Sequence, residues 1–328
     1  MSTGVRAESE SAGGSGYLHA GYAESFSDIA LPRELRHSGG WILERAIPGS
    51  DLRDGMGCYP LFACRDWCGL ALDLPTLAGR LVSLTLITDP FGNFTEDDLH
   101  QSFQVVLPYK QHHVTDLELF AHRGPWKSHA RNAGRARKRV QLEICSRPLE
   151  MLDVWIELYG ELRERHDVTG IGAFSRREFE TQLAVPGLVM FKALADGRVV
   201  GLHLWYLQGD VAYGHLGATN ARGYELMASY ALYSYAIEQF RGRARWLDLG
   251  SSPGAPNDEA GNGLRRFKAG WSTGSRQAYL CGRIFQPEAY ARLVAAKSIG
   301  STSYFPAYRQ GEFAYTPRVA QRGGSSER

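Results

Sequence analysis

At 328 residues, 44% of them apolar and with 14 Phe, 16 Tyr and 7 Trp, the chain has material for a packed core and length for two subdomains. Its 37 basic and 35 acidic residues nearly cancel, so charge carries information only where it clusters. The longest apolar runs, such as residues 81–87, are strand-length, which excludes a membrane-spanning helix. Residues 1–16 lack an apolar signal core, so a cytoplasmic protein is expected.

The first 38 residues and the tail beyond Arg318 are rich in Ser, Gly and charge and are expected to be poorly ordered. Between Trp41 and His122 short strands are predicted at 41–46, 58–65, 67–72, 81–87 and 114–120. One helix interrupts them, capped by Thr95 with Asp98 three residues on and striped by Leu99, Phe103 and Val106. Gly124-Pro125 breaks this unit, and a basic helix follows. A strand at 140–145 and an amphipathic helix at 149–165 come next, then a helix started by the Ser175/Glu178 capping box. Strands at 188–194, 198–207 and 211–216 follow, joined by hairpin turns at Asp196-Gly197 and Gly209-Asp210. A helix over 226–241, a short strand at 246–249, a glycine-rich loop, a strand at 276–285 and a helix over 287–297 complete the order. The expected organisation is therefore a lead-in (1–38), a first α/β unit (39–125), a second (126–286), and a helix with tail (287–328) that folds back on the first unit.

Five cysteines, Cys58, Cys64, Cys68, Cys145 and Cys281, make an odd count that fits reduced thiols. Cys58, Cys64 and Cys68 cluster, but without a Cys-x-x-Cys pair or a nearby His to complete a zinc pattern, so no metal is expected.

The region from Tyr213 to Trp271 carries the functional signal. A strand–helix–strand unit there opens into a flexible loop and the basic run Gly263-Leu264-Arg265-Arg266-Phe267-Lys268, a natural place to hold an anionic group-transfer donor. Upstream, Lys127, Arg131, Arg135 and Lys138 recur at helical spacing and line one face. Such a stripe suits tRNA phosphates or the diphosphate of a nucleotide-linked acceptor, and it equally suits a solvated helix face. His203 and His215 fall on central strands, with Tyr213 on the same face as His215. Each is a candidate proton acceptor for an amine, against the plainer reading of a satisfied core histidine. Asp248 ends its strand, where it either orients a substrate amine or caps the loop. His112-His113 are adjacent on a strand and point to opposite faces, which argues against a shared ligand site.

The order of elements resembles the fold of Gcn5-related N-acetyltransferases, in which the fourth and fifth strands diverge around the donor carbonyl. Those strands are 211–216 and 246–249 here. The sequence Leu247-Asp248-Leu249-Gly250, the loop, Gly263-Leu264-x-x-Phe267-Lys268 and Trp271 resemble the C-terminal signature of Fem-type peptidyltransferases. The run from Lys127 to Lys138 is similar to their basic helix, and His215-Leu-Gly-Ala-Thr219 also fits. The likeness spans roughly residues 125–285.

This resemblance implies two tandem acetyltransferase-like domains of α/β class, the first degenerate, with mixed sheets flanked by helices. It implies transfer of an aminoacyl group from aminoacyl-tRNA to an amine, often on a cell-wall precursor. The alternative is an acyl-CoA-dependent N-acyltransferase of envelope, polysaccharide or natural-product biosynthesis. By residue match, Phe267 and Lys268 lie near the tRNA acceptor end and the reacting ester, with Arg265 and Arg266 on the same turn. Lys268 would offer charge to an oxyanion or a phosphate, and Phe267 a face to the terminal adenine or, equally, to the core. No tightly bound cofactor is implied, and a monomer is expected. The long coiled-coil insertion of larger Fem proteins is absent from the sequence. The stretch Asn220–Ala228, where a CoA-binding turn would lie, has Arg222-Gly223 at the wrong spacing and Glu225 where phosphates would sit. That stretch argues against a conventional CoA pocket.

Overall fold

The computed structural model describes residues 14–166, 170–251, 259–300 and 302–312. Its strands are β1 (Leu31–Leu35), β2 (Gly40–Ala46), β3 (Arg53–Gly57), β4 (Ser83–Ile87), β5 (Val105–Asp116), β6 (Gln141–Cys145), β7 (Leu188–Ala195), β8 (Arg198–Gln208), β9 (Val211–Thr219), β10 (Trp246–Asp248) and β11 (Gly274–Ile284). They join in an 11-stranded mixed sheet of order β1-β2-β3-β4-β11-β5-β10-β9-β8-β7-β6. The last strand, β11, lies antiparallel between β4 and β5. The chain's C-terminal portion thereby closes the seam between its two halves.

The helices are α1 (Ala20–Glu24), α2 (Leu70–Thr76), α3 (Glu96–Ser102), α4 (Leu117–Arg123), α5 (Lys127–Ala136), α6 (Leu152–His166), α7 (Arg176–Leu183), α8 (Ala221–Glu225), α9 (Ala228–Phe240), α10 (Glu259–Ala269) and α11 (Pro287–Ala296). On one face of the β8–β9 region, Trp155, Tyr159 and Phe179 of α6 and α7 and Tyr22 of α1 pack onto Leu204, Tyr206 and Tyr213. On the other, Ala133 and Ala136 of α5 and Leu232, Ala236 and Phe240 of α9 pack onto Phe191, Trp205 and Leu247. Strand alternation sends neighbouring side chains to these two layers, and each fully buried aromatic contributes roughly 2–3 kcal/mol.

Several predicted elements change. Residues 58–65 form no strand: in that stretch only Phe62 makes a bridge, to Thr88, and the cis Tyr59-Pro60 bond lies within it. Residues 67–72 run into α2 instead, where Asp73 takes the amides of His37 and Ser38 (3.0 and 2.8 Å). The 114–120 strand is the end of β5, after which Asp116 caps α4 by accepting from the amides of Glu118 and Leu119. The Thr95/Asp98 box forms, but α3 stops at Ser102 and Phe103 turns extended.

Residues 14–38 are folded rather than a loose lead-in. Tyr17 and Tyr22 are buried in the core, Ser15 donates to Leu207 O (2.9 Å), and Tyr22 donates to Tyr59 O (2.5 Å). Residues 1–13, and the expected tail beyond Arg318, lie outside the described residues. At the other end, Arg309 meets the buried Asp54 of β3 through Nε and Nη2 (2.6 and 2.8 Å), and Tyr308 bonds Ser83 of β4 (2.7 Å). Residues 302–312 are thus fastened to the first half. Among the described residues no helix is long and apolar enough to cross a membrane.

Candidate active site

The sheet opens at β9 and β10. These strands run parallel and in register only from Val211–Tyr213 against Trp246–Asp248. Beyond Asp248 the chain swings to β5: Leu249 N–H donates to His113 O (2.9 Å) and His113 N–H to Gly250 O (3.2 Å). Gly250 makes the turn at φ +75°, a conformation that suits glycine. Meanwhile β9 continues to Thr219 along β8. The two strands diverge at the Tyr213/Asp248 pair, as the resemblance implies. Gly214 follows at the split, where a Cβ would lie 3.2 Å from Asp248 O.

Asp248 is buried at this point, and its carboxylate meets His112 Nδ1 at 2.8 and 3.1 Å. A carboxylate only accepts, so Nδ1 carries a proton, and in the neutral ring the lone pair is on Nε2. Gly250 N–H gives Asp248 a further bond at 2.7 Å. In register, Asp248 faces Val114 of β5 and Tyr213 of β9, so His112, Asp248 and Tyr213 share one face of the sheet. Tyr213 donates on that face to Asp89, just after β4 (2.8 Å), which also takes Phe91 N–H (2.9 Å). Burial pushes the Asp89 carboxyl up to about 6, the nearby Asp248 charge adds to the rise, and the two hydrogen bonds oppose it. Arg276 lies over the rings of Phe91 (4.3 Å) and Trp246 (4.7 Å) beside this group.

Lys268 approaches from α10, the helix that carries Phe267 into the α5/α9 layer. Its Nζ donates to Ser251 O (2.6 Å). Burial lowers its pKa to about 8, with Asp248 resisting and Lys110 adding to the fall. His113 has its pKa lowered by burial first and then by Lys268 and Arg265. The adjacent histidines of β5 thus serve two sides of the opening, His112 with Asp248 and His113 toward Lys268.

The other sequence candidates are placed less centrally. His215 is buried with both ring nitrogens engaged, Nδ1 with Tyr17 Oη (3.1 Å) and Nε2 with Gln182 Oε1 (3.2 Å). Burial pushes its pKa down to about 3, and no nitrogen is left to receive a substrate proton. His203 sits in the opposite layer, edge-on to Tyr233 (5.2 Å), its pKa down to about 4 from burial. That packing is a core histidine's. The Phe267 ring is held by Tyr230 and Tyr233 (both 4.9 Å), and its carbonyl bonds His129 Nε2 (2.9 Å), so the core reading accounts for it. Arg265 bonds Asn262 (3.0 Å), and Arg266 is exposed. Lys127, Arg131 and Arg135 are exposed on the side of α5 away from buried His129, Ala133 and Ala136, and Lys138 is exposed in the turn that follows the helix.

On the Lys268 side lies a groove of about 1110 Å³ between β5, β11, the end of α4 with the link to α5, and α10. Lys110, Arg123, Arg265 and His113 line it with the exposed rings of Tyr109 and Trp126, and among the described residues no Asp or Glu does. Trp126 immediately precedes Lys127, so the basic face of α5 starts at the groove wall. The stretch from Asn220 folds into the single-turn α8. Asn220 accepts Gly223 N–H (2.9 Å), Arg222 pairs with Glu225 (3.1 Å), and a Cβ on Gly223 would lie 2.1 Å from Val200 O. The Gly223 amide and the Arg222 cation are thus engaged within the turn, and the Glu225 carboxylate stands beside them, which disfavours a pyrophosphate there. The glycine-rich loop, residues 252–258, lies outside the described residues.

His112 was set aside in sequence because its neighbour points the other way. Asp89 and Tyr17 carried no signal beyond an Asp-Pro turn after an apolar strand and an aromatic in a polar leader.

Residues 123–268 match the model of the acetyltransferase (GNAT) domain family. No curated protein matches the sequence. Among solved structures, FemX is similar with a TM-score of 0.63 at 13% identity, covering 84% of this chain and 93% of that one. The C-terminal domain of a putative lysylphosphatidylglycerol synthetase from Agrobacterium fabrum has a TM-score of 0.60 at 15% identity, covering 85% and 97%. L-PGS from Bacillus licheniformis has a TM-score of 0.55 at 14% identity, covering 89% and 100%. At these identities the likeness establishes the fold. The match to the acetyltransferase (GNAT) domain model spans β6–β10, the notch between β9 and β10 lies inside it, and the chain shares its fold with FemX.

Proposed function

We propose that the protein forms an amide by transferring an aminoacyl group from aminoacyl-tRNA to an amine of a small-molecule or cell-wall-precursor acceptor. The observation that carries the donor reading is the groove of about 1110 Å³ on the Lys268 side, with three cationic side chains, two exposed aromatic rings and, among the described residues, no acid. A single-stranded polyanion with stackable bases fits that lining, cations along the phosphates and rings against bases. We read residues 126–286 as the acyltransferase half and 39–125 as a degenerate acyltransferase-like half that lends the site Asp89, His112 and part of the groove wall.

In this reading the acyl carbonyl enters the notch between β9 and β10 from the groove, and the amine arrives from the His112 face. Lys268, cationic below about pH 8, offsets negative charge on the carbonyl oxygen or the terminal phosphate. One neighbour is named a lysylphosphatidylglycerol synthetase, a name that joins an aminoacyl product to this fold. The match to an acetyltransferase domain model favours acyl-CoA as the second reading. The internally satisfied α8 turn weighs against it.

The test offers purified protein mixed charged tRNAs beside acetyl-CoA, with and without ribonuclease, and follows which donor is discharged. Loss of transfer after ribonuclease is expected; survival of activity on acetyl-CoA alone would move the donor to CoA.

A further inference from the structure

Acyl transfer to an amine requires somewhere for the amine proton to go. The buried groups around the notch differ in whether they have a free lone pair facing the opening. His215 has both nitrogens committed. His203 lies in the other layer against Tyr233. Asp89 already accepts from Tyr213 and from Phe91 N–H. Lys268 is cationic below about pH 8 and donates to Ser251.

His112 is different. Its Nδ1–H is fixed on Asp248, and no hydrogen bond to another described residue engages its Nε2. This is a base oriented by a carboxylate, the arrangement nucleophile-activating histidines use. Asp248 is itself held by Gly250 N–H at the point where β9 and β10 part.

We infer that His112 is the proton acceptor for the attacking amine and that Asp248 is the positioning residue that sets its tautomer. The inference rests on the acyl-transfer reading above. The amine nitrogen bonds the acyl carbon while its proton passes to His112 Nε2. The bond from acyl carbon to the donor's ester oxygen, or thioester sulfur, then breaks, and His112 returns the proton to that leaving atom. No oxidant, metal or net proton is required. Asp248 carries the countercharge for the transient imidazolium.

The groups facing His112 are Asp248 on β10, Asp89 after β4, Tyr213 on β9 and Arg276, its cross-strand partner on β11. Asp89, pushed up to about 6, is itself a titrating group beside His112, so its variant must be separated from that of His112. The experiment measures kcat and KM against pH for wild type, His112→Asn and Asp89→Asn, with the donor that wild type discharges. Asn keeps a donor toward Asp248 but has no base. His112→Asn is expected to lower kcat about 100-fold with KM within about twofold, and to lose a pH limb that Asp89→Asn retains. In His112→Ala, added imidazole is expected to restore rate, which a purely structural role would not allow. Should His112→Asn melt at a much lower temperature than wild type, imidazole rescue in the alanine variant decides alone. Equal rates for wild type and His112→Asn, or no rescue, overturn the assignment while leaving acyl transfer standing. Absence of transfer from either donor by wild type overturns the functional reading and this assignment with it.

Discussion

Replacing Lys268 by Met keeps the length of the side chain and removes its charge, and the structure sets two opposing consequences. Burial brings the ammonium from its ordinary 10.5 down to about 8, a penalty of about 3 kcal/mol on the charged form. Below pH 8 both the folded and the unfolded chain are protonated and the penalty is complete. Between 8 and 10.5 the unfolded chain holds more protons, so wild-type stability rises with pH through that window. Against the penalty stands the bond from Nζ to Ser251 O (2.6 Å), a charged hydrogen bond that contributes about 1.5–3 kcal/mol. At pH 7, Lys268→Met is therefore expected to be as stable as wild type or up to about 2 kcal/mol more so. By pH 10.5 wild type should have gained about 3 kcal/mol relative to the variant. Urea melts of both proteins at pH 7 and pH 10 measure this. The same substitution is expected to cut kcat by roughly 100- to 1000-fold, the loss typical of removing one group that stabilises transition-state charge. A stability difference that does not move between the two pH values refutes the desolvated lysine. Unchanged kcat refutes its part in transfer.

Three further outcomes follow from other sites. For Asp89 the folded carboxyl titrates near 6, above its ordinary 3.8, so its penalty is absent below about pH 4 and grows to pH 6; wild type should lose stability relative to Asp89→Asn across that range in pH-dependent melts. Arg309→Met leaves the buried Asp54 carboxylate only Tyr308 (3.0 Å) and Arg45 (3.6 Å) and should cost about 3 kcal/mol in urea unfolding, with the His112 and Lys268 side of the molecule untouched. Arg123→Ala and Arg265→Ala should raise KM for a tRNA donor with little change in kcat, and each should reduce the slope of log affinity against log salt by about 0.7–0.9. A slope unchanged by both substitutions removes the groove as the path of a phosphodiester chain.

Regular, two-layered elements were legible in the sequence because burial imposed a period on them. The meander β7–β9 is read correctly since its alternation and its turn residues agree, and Asp196 and Gly197 both adopt positive φ in the tight turn they predict. The capping boxes at Thr95 and Ser175 likewise form as written. What failed did so where tertiary pairing outweighs local pattern. In β5 the run Pro108-Tyr109-Lys110-Gln111 carries no apolar alternation and includes a proline, yet β11 pairs along nearly the whole strand with a bulge at Ala278/Tyr279. Hydrogen bonding to a strand more than 160 residues away leaves no trace in a short window. The lead-in was misread for a related reason. Its few aromatics, Tyr17, Tyr22 and Phe26, are diluted by polar residues, but they land in a core built by the distant α6, α7 and β9.

The site shows the same division at the scale of single residues. Asp248 and Lys268 were visible because they end or follow recognisable elements, and the notch between β9 and β10 follows from strand order. The partner of Asp248 was not visible, because the adjacency of His112 and His113 reads in sequence as a contradiction. In a sheet that splits at one point, opposite faces are the two sides of a single opening. Two neighbouring histidines on the strand beside the split then stand across the sheet from each other, one held by a carboxylate and one facing cations. In the transfer proposed above, donor and acceptor approach from opposite sides of the sheet and need chemistry on both, and one dipeptide in β5 would supply a residue to each.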